Sequence, residues 1–401
     1  MTHTLVTVLG KGRDNIKTGY REATYRFPDG SQRTTPFFGL ALAEHLHPDG
    51  LVILGTRGSQ WGVLVENLVA ENEEEDARLA LMDAEAAARV DQSLLNTVTP
   101  LLCRAAGRNV IPRLIPYGRD ADEQYAILRE VAAAVPKGAV SFDLTHGFRH
   151  LGMIGFLSAF LLERIGRLDV RGLWYGALDM TESGVTPVIR LEGLSAVQRW
   201  IDALDRFDAT GDYGVFEPLL IADGVAEDKA RCLKEAAFHE RTFNLSDARR
   251  KINTFLPEID QPLVGASGLF QDKLRERLAW AAENNLAAHQ RKLAYQYLNR
   301  GDYVRAAIFG WEAVVTGECE RRHYDPNDFK TGRNSAIEEL EDEIKNDAHP
   351  KWKCHAYWTL KTIRNALAHG NPPTIERFRR MLKDPNVLTE ELEASFKRLL
   401  G

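Results

Sequence analysis

The strongest constraint on this chain is a change of hydrophobic period near residue 193. Before it, short runs of aliphatic and β-branched residues at 3–9, 51–54, 110–115, 140–144 and 172–178 alternate with helical patterns at 37–46, 62–95, 122–134 and 148–164. Runs this short and this continuously apolar suit strands buried on both faces of a sheet. Strand and helix in repeated succession predict a doubly wound, mostly parallel α/β sheet. A run at 185–191, after the Ser183-Gly184 turn, adds an antiparallel edge strand. After residue 193 the period is helical throughout, at 195–208, 225–240, 246–255, 268–283, 286–299 and 303–322. The expected organisation is an α/β domain over 1–193, a helical connecting module over 194–286 and an all-α functional domain over 287–401, with part of that last domain as the other reading of 194–286.

Composition narrows the class. The 401 residues are 44% hydrophobic and 27% charged, as in globular domains and without a disorder signature. A net charge of −6 argues against a protein that coats nucleic acid, because such binding neutralises many phosphates. Any contact with RNA is expected to be local. Cys103, Cys232, Cys319 and Cys354 form no C-x-x-C pair, so neither a zinc site nor a disulfide framework is indicated. The start lacks the basic region of a secretory leader. The most apolar run, 151–162, is interrupted by Gly152, Gly155 and Ser158 and is too short to span a bilayer. A cytoplasmic protein with no membrane partner is expected.

In a doubly wound sheet, ligands collect at the carboxyl ends of the strands. The first strand ends in Gly10-Lys11-Gly12-Arg13-Asp14 and the second in Gly55-Thr56-Arg57-Gly58-Ser59-Gln60-Trp61. The strand at Phe142 ends in Asp143-Leu144-Thr145-His146-Gly147-Phe148-Arg149. Small residues allow close backbone approach, hydroxyls and amides offer hydrogen bonds, and Lys or Arg suit anions, so a phosphate-bearing ligand is expected. Gly10-Lys11-Gly12 lacks the third glycine of a dinucleotide fingerprint, and no G-x-x-x-x-G-K-[ST] occurs, which leaves ordinary NAD or ATP binding unsupported. Each residue also has a structural use: Gly55 and Gly147 in tight turns, Thr145 as a helix cap, His146 as a hydrogen-bonded histidine at the sheet edge.

Near the end, Trp352, Ala356, Leu360, Ile363 and Leu367 recur at helical spacing, and Gly370 with Pro372-Pro373 stops the helix. His369 falls on its last turn, where the negative end of the helix dipole suits a group that takes up a proton. Arg364 precedes it by five residues, about 140° around the helix, so the two side chains leave different faces. A site using both needs a distorted helix end or a second copy of the helix. Arginine with histidine suits cleavage of RNA by attack of the 2′-hydroxyl on the adjacent phosphate. Guanidinium stabilises phosphoryl charge while imidazole moves a proton, and no metal is required. Basic residues at a helix end also satisfy its last carbonyls. Ala306, Ala307, Gly310, Ala313 and Gly317 on the helix at 303–322 permit close helix contact. Arg321, Arg322, Lys351, Lys353, Lys361, Arg377, Arg379 and Arg380 suit either an RNA groove or a solvated surface.

The opening strand with its Gly-Lys-Gly loop, the segment 54–61 and the segment 142–149 together resemble the CARF domain, the CRISPR-associated Rossmann fold of type III CRISPR systems, over residues 1–193. The resemblance implies a Rossmann-like sheet that binds a cyclic oligoadenylate across a homodimer. Its contact candidates are Gly10, Lys11, Gly12, Gly55, Thr56, Ser59, Gln60, Trp61, Thr145, His146, Gly147 and Arg149. Arg364-Asn365-Ala366-Leu367-Ala368-His369 is similar to the Arg-x4–6-His motif of HEPN ribonucleases. Together the two halves resemble the CARF–HEPN ancillary ribonucleases. That implies cyclic oligoadenylate as allosteric activator with no other cofactor, single-stranded RNA as substrate, and Arg364, Asn365 and His369 as catalytic residues. Two alternatives stay open: a ligand-sensing regulator with a non-catalytic helical half, and a ring nuclease that degrades the cyclic messenger.

Overall fold

The computed structural model describes residues 2–10, 22–69 and 74–401. It divides into two compact units, Met1–Ser195 and Ala196–Gly401.

The first unit contains, in order, β1 (His3–Leu9), β2 (Ala23–Arg26), β3 (Gln32–Thr35), α1 (Phe38–Leu46), β4 (Gly50–Gly55), α2 (Trp61–Leu68), α3 (Glu75–Ala86), α4 (Gln92–Ala106) and β5 (Asn109–Leu114). It continues with α5 (Ala121–Ala134), β6 (Gly138–Asp143), α6 (Arg149–Arg164), β7 (Leu168–Gly176) and β8 (Val185–Arg190). The eight strands form one sheet in the order β3-β2-β8-β7-β6-β1-β4-β5. β5, β4, β1, β6 and β7 are parallel neighbours. The predicted doubly wound sheet is therefore observed, and the period-two rule explains how it is held. Leu5 and Leu9 of β1, with Leu51 and Ile53 of β4, enter a core against α1, α2 and α4. The intervening Val6, Val8, Val52 and Leu54 enter a second core against α5 and α6. Both faces of these strands are apolar because both are covered.

Three local expectations are corrected. β8 is antiparallel to β7, as expected, but it is not an edge strand, because β2 pairs along its far side and β3 pairs with β2. The β2–β3 hairpin is not legible in the sequence because its strands are four residues each, β3 mostly exposed and β2 with Tyr25 alone fully buried, too short for an apolar periodicity to show. The helical region at 62–95 is broken into α2, α3 and the start of α4, and α4 continues to Ala106.

The chain passes into the second unit along α7 (Glu192–Thr210). There follow α8 (Glu217–Ala222), α9 (Glu227–Arg241), α10 (Leu245–Asp260), α11 (Gln271–Leu278), α12 (Leu286–Asn299), α13 (Tyr303–Arg321), α14 (Ser335–Lys345), α15 (Lys351–His369), α16 (Glu376–Met381) and α17 (Pro385–Leu399). No strand occurs here among the described residues. One buried cluster runs from Trp200 to Phe396, so residues 194–286, set apart in the sequence expectation, share a core with 287–401. Gly310 accepts the ring of Phe396 from α17: a Cβ there would lie 2.2 Å from it. The next residue of α13, Trp311, instead packs on Tyr357 of α15, ring centroids 5.4 Å apart.

Candidate functional site

The parallel strands end along one edge, and chain direction across the sheet reverses on either side of β1. That is the switch point where a doubly wound sheet opens a crevice. Gly10, directly after β1, and the loops after β4 and β6 meet there. Gly10 and Gly147 lie so close that a Cβ on Gly10 would stand 2.9 Å from the Gly147 amide nitrogen. Gly147 itself has φ +92° and faces Val8, where a Cβ would come within 2.8 Å, so both position and conformation call for glycine.

Below this backbone contact lies a polar network. Asp143 is buried and accepts hydrogen bonds from Thr7 Oγ1 at 2.6 Å and the Thr145 amide at 2.8 Å. Burial pushes its carboxyl above the usual range, against the pull of His146 and of these donors. Thr145 does not cap a helix; its Oγ1 accepts the Gly176 amide at 2.7 Å, tying β6 to β7. His146 Nε2 accepts the Phe38 amide at 3.1 Å, at the start of α1. Burial lowers its pKa despite nearby Asp143, which matches a neutral ring accepting a hydrogen bond at a helix N-terminus.

The β4 loop is organised in the same way. Ser59 Oγ accepts the Thr56 amide at 2.9 Å and donates to the Leu9 carbonyl at 2.6 Å. The Gln60 amide donates to the Gly10 carbonyl at 3.2 Å. Trp61 is fully buried over Gly55, and its indole N–H donates to the Thr56 carbonyl at 3.0 Å. Thus Thr56, Ser59, Gln60 and Trp61, all buried, shape the loop. Gly147 and Arg149 are exposed. Lys11 and Gly12 lie outside the described residues.

Other groups on this rim were not singled out from sequence. Arg57 is exposed at the tip of the β4 loop. Tyr117, after β5, stands 6.0 Å from the Phe148 ring and carries the Arg119 guanidinium 4.7 Å above its own. Phe148 stacks on His150 at 5.8 Å, and His150 Nε2 bonds the Tyr117 carbonyl at 2.7 Å. The signal was a fourth strand-end loop, Tyr117-Gly118-Arg119, with an aromatic, a glycine and a cation. The rim can offer stacking rings, guanidinium groups and backbone amides to a planar, anionic ligand.

The second candidate lies at the end of α15. Ala356, Leu360 and Ile363 are buried as expected, whereas Trp352, 50% exposed, lies outside the core stripe. Gly370 ends the helix in the left-handed conformation at φ 67°. Arg364 is half-buried, its guanidinium 6.0 Å from the Trp311 ring centroid. Its Nη1 donates to Asn365 Oδ1 at 2.9 Å, and its Nε is buried without a hydrogen bond among the described residues. His369 is exposed and has no polar partner among the described residues. One turn back, Lys361 pairs with Glu341 of α14, which also accepts from Tyr357 at 2.8 Å. Arg321 and Arg322 bind Glu318 and Glu343, with Arg322 also on Glu339. Arg377 binds Glu391, and Arg379 and Arg380 bind Glu376. Most of the basic residues considered for an RNA groove are therefore paired.

Comparison with known proteins bears on the first unit. Residues 4–177 match the family described as CRISPR system endoribonuclease Csx1, CARF domain. This unit is CARF-like. The match covers the sheet from β1 to β7 and the strand-end loops between them. The CRISPR-associated protein MJ1674 of Methanocaldococcus jannaschii is 24% identical over 286 residues, covering 65% of this chain. The chain spans only 44% of that relative's length. Together these matches support a CARF-containing protein linked to type III CRISPR systems, whose CARF domains bind cyclic oligoadenylates. Among the described residues no helix is long and apolar enough to cross a membrane, and no group of three or more His, Cys, Asp or Glu is placed to hold a metal ion.

Proposed function

We propose that the protein is a homodimeric endoribonuclease that cleaves single-stranded RNA without a metal and is switched on by a cyclic oligoadenylate. The observation that carries this reading is the end of α15. An exposed imidazole, without a polar partner among the described residues, stands one turn beyond an arginine–asparagine pair in a helical unit that follows a CARF-like sheet. Arg364 stabilises negative charge on the phosphoryl oxygens, Asn365 supports the guanidinium, and His369 moves the proton of the 2′-hydroxyl or of the leaving oxygen. Because Arg364 and His369 diverge by about 140° on one helix, the working site joins Arg364 of one copy to His369 of the other.

At the sheet edge, the cyclic ligand lies over the backbones of Gly10 and Gly147, with Arg57 and Arg149 on its phosphates and Tyr117 and Phe148 beside its bases, while Gly55 lets Trp61 pack beneath the loop. The buried Thr56, Ser59, Gln60 and Trp61, with the half-buried Thr145 and His146, hold these loops in register. The homodimer is supported by α6, where Met153, Leu157, Leu161 and Ile165 recur every fourth residue and are 68%, 60%, 49% and 63% exposed. A second copy would cover that stripe.

The test is cleavage of a fluorophore-quencher RNA in EDTA, without activator and with cyclic tri-, tetra- and hexa-adenylate. One ring size is expected to activate the wild type. His369→Ala should reduce cleavage at least about 100-fold while ligand binding and the melting profile are kept. Full activity in His369→Ala would move the site elsewhere. Binding of a ring without RNA cleavage would favour a regulator or, if the ring is consumed, a ring nuclease.

A further inference from the structure

Helical phase divides the surface of α15 in a way the Arg364–His369 pair does not use. At about 100° per residue, Trp358, Thr362, Asn365 and His369 fall within a sector of about 60°, while Arg364 stands about 120° from Trp358. Ala356, Tyr357, Thr359, Leu360 and Ile363 fill the core sides of the helix. The sector shared by Trp358 and His369 is therefore the outward one. Trp358 is 38% exposed there, and its indole N–H makes no hydrogen bond among the described residues.

A cation is fixed beside this ring. Lys361 Nζ lies 5.3 Å from the Trp358 centroid and 5.9 Å from that of buried Trp311, held by its ion pair with Glu341. An exposed indole with an anchored ammonium is the combination that binds single-stranded nucleic acid without reading its sequence. The ring stacks on a base and the cation meets the adjoining phosphate. Trp358 precedes Asn365 by seven residues, roughly 10 Å along the helix axis, close enough for a base of the strand that Asn365 and His369 engage. At Trp358 itself a second copy of the same patch is a poorer occupant, since two-fold pairing would set Lys361 against Lys361; the copy whose Arg364 meets His369 approaches the far end of the helix.

We propose that Trp358 is the stacking platform for a base flanking the scissile phosphate, with Lys361 on the adjoining phosphate. This rests on the endoribonuclease reading above. The experiment compares full-length wild type, Trp358→Ala and Trp358→Phe, with activator present. Cleavage of single-stranded RNA gives KM and kcat. Fluorescence polarisation gives Kd for a labelled 2′-O-methyl oligonucleotide that cannot be cleaved. Light scattering gives the oligomeric state.

Trp358→Ala should raise KM and Kd about tenfold, leave kcat within about twofold and leave the oligomeric state unchanged, and Trp358→Phe should recover most of the loss. Unchanged KM and Kd in a folded Trp358→Ala protein would overturn the proposal. So would a shift in oligomeric state, which would make Trp358 a contact between copies. If wild type cleaves no RNA, the endoribonuclease reading fails alone, and the polarisation series still decides on Trp358.

Discussion

His146 illustrates how one side chain serves both a loop and a helix. Its Nε2 accepts the first amide of α1, and burial keeps its pKa below the usual 6.5. In the unfolded chain the ring titrates normally, so below that pH the unfolded state binds more protons than the folded one. The contribution of His146 is then full above the unfolded value and is lost as pH falls through the folded value. The thermal midpoint is expected to drop between about pH 7 and about pH 5. His146→Gln, which keeps an acceptor for Phe38, should flatten that slope and cost about 1 kcal/mol less than His146→Ala. Some slope remains from His289, which is also lowered by burial. The same scale holds a fully buried ion pair of the helical unit. Buried Glu240 receives Arg277 at 2.9 Å, Tyr297 at 2.6 Å and Tyr213 at 3.1 Å. Glu240→Ala leaves the guanidinium buried without its counter-ion and should destabilise by about 3–5 kcal/mol in urea denaturation.

Among the elements, α6 and α15 carry the surfaces on which the proposed function depends. On α6, Leu151, Ile154 and Phe160 face the sheet, while Met153, Leu157, Leu161 and Ile165 face outward. Leu157→Glu is expected to leave the helix content unchanged by circular dichroism. It should convert a dimer to monomer in light scattering and lose RNA cleavage with it. A dimer that survives the substitution would place the interface elsewhere. The helix end of α15 was legible from its stripe and its Gly-Pro stop, because both follow from local chemistry. Trp358 was not, because spacing alone cannot say which side of a helix other helices leave uncovered.

For the molecule as a whole, a site built from two copies has a signature that a site within one chain lacks. Mixing Arg364→Ala and His369→Ala proteins, each inactive alone, restores one intact site in every mixed dimer. About a quarter of wild-type activity should return after subunit exchange. No recovery would mean that Arg364 and His369 act within one chain. If ligand binding and RNA binding are coupled, reciprocity requires that an uncleavable RNA tighten the cyclic ligand by the same factor as the ligand tightens the RNA.

The amino-acid sequence determined the α/β unit, the helical unit after it, the strand-end loops and the end of α15. All of these arise from local periodicity, turn chemistry and the need to bury apolar faces. The tertiary structure decided which of the described loop side chains are buried and which are exposed. Trp61, Ser59 and Gln60 look like ligand groups in a polar loop, but the fold closes over them, and the indole N–H and the hydroxyl serve neighbouring carbonyls. Tyr117, Phe148 and His150 are separated along the chain and meet only because β5 and β6 end on the same edge. The β2–β3 hairpin became part of the sheet only through its pairing with β8. Sequence pattern records which faces must be buried; which polar groups remain free depends on contacts between segments far apart in the chain.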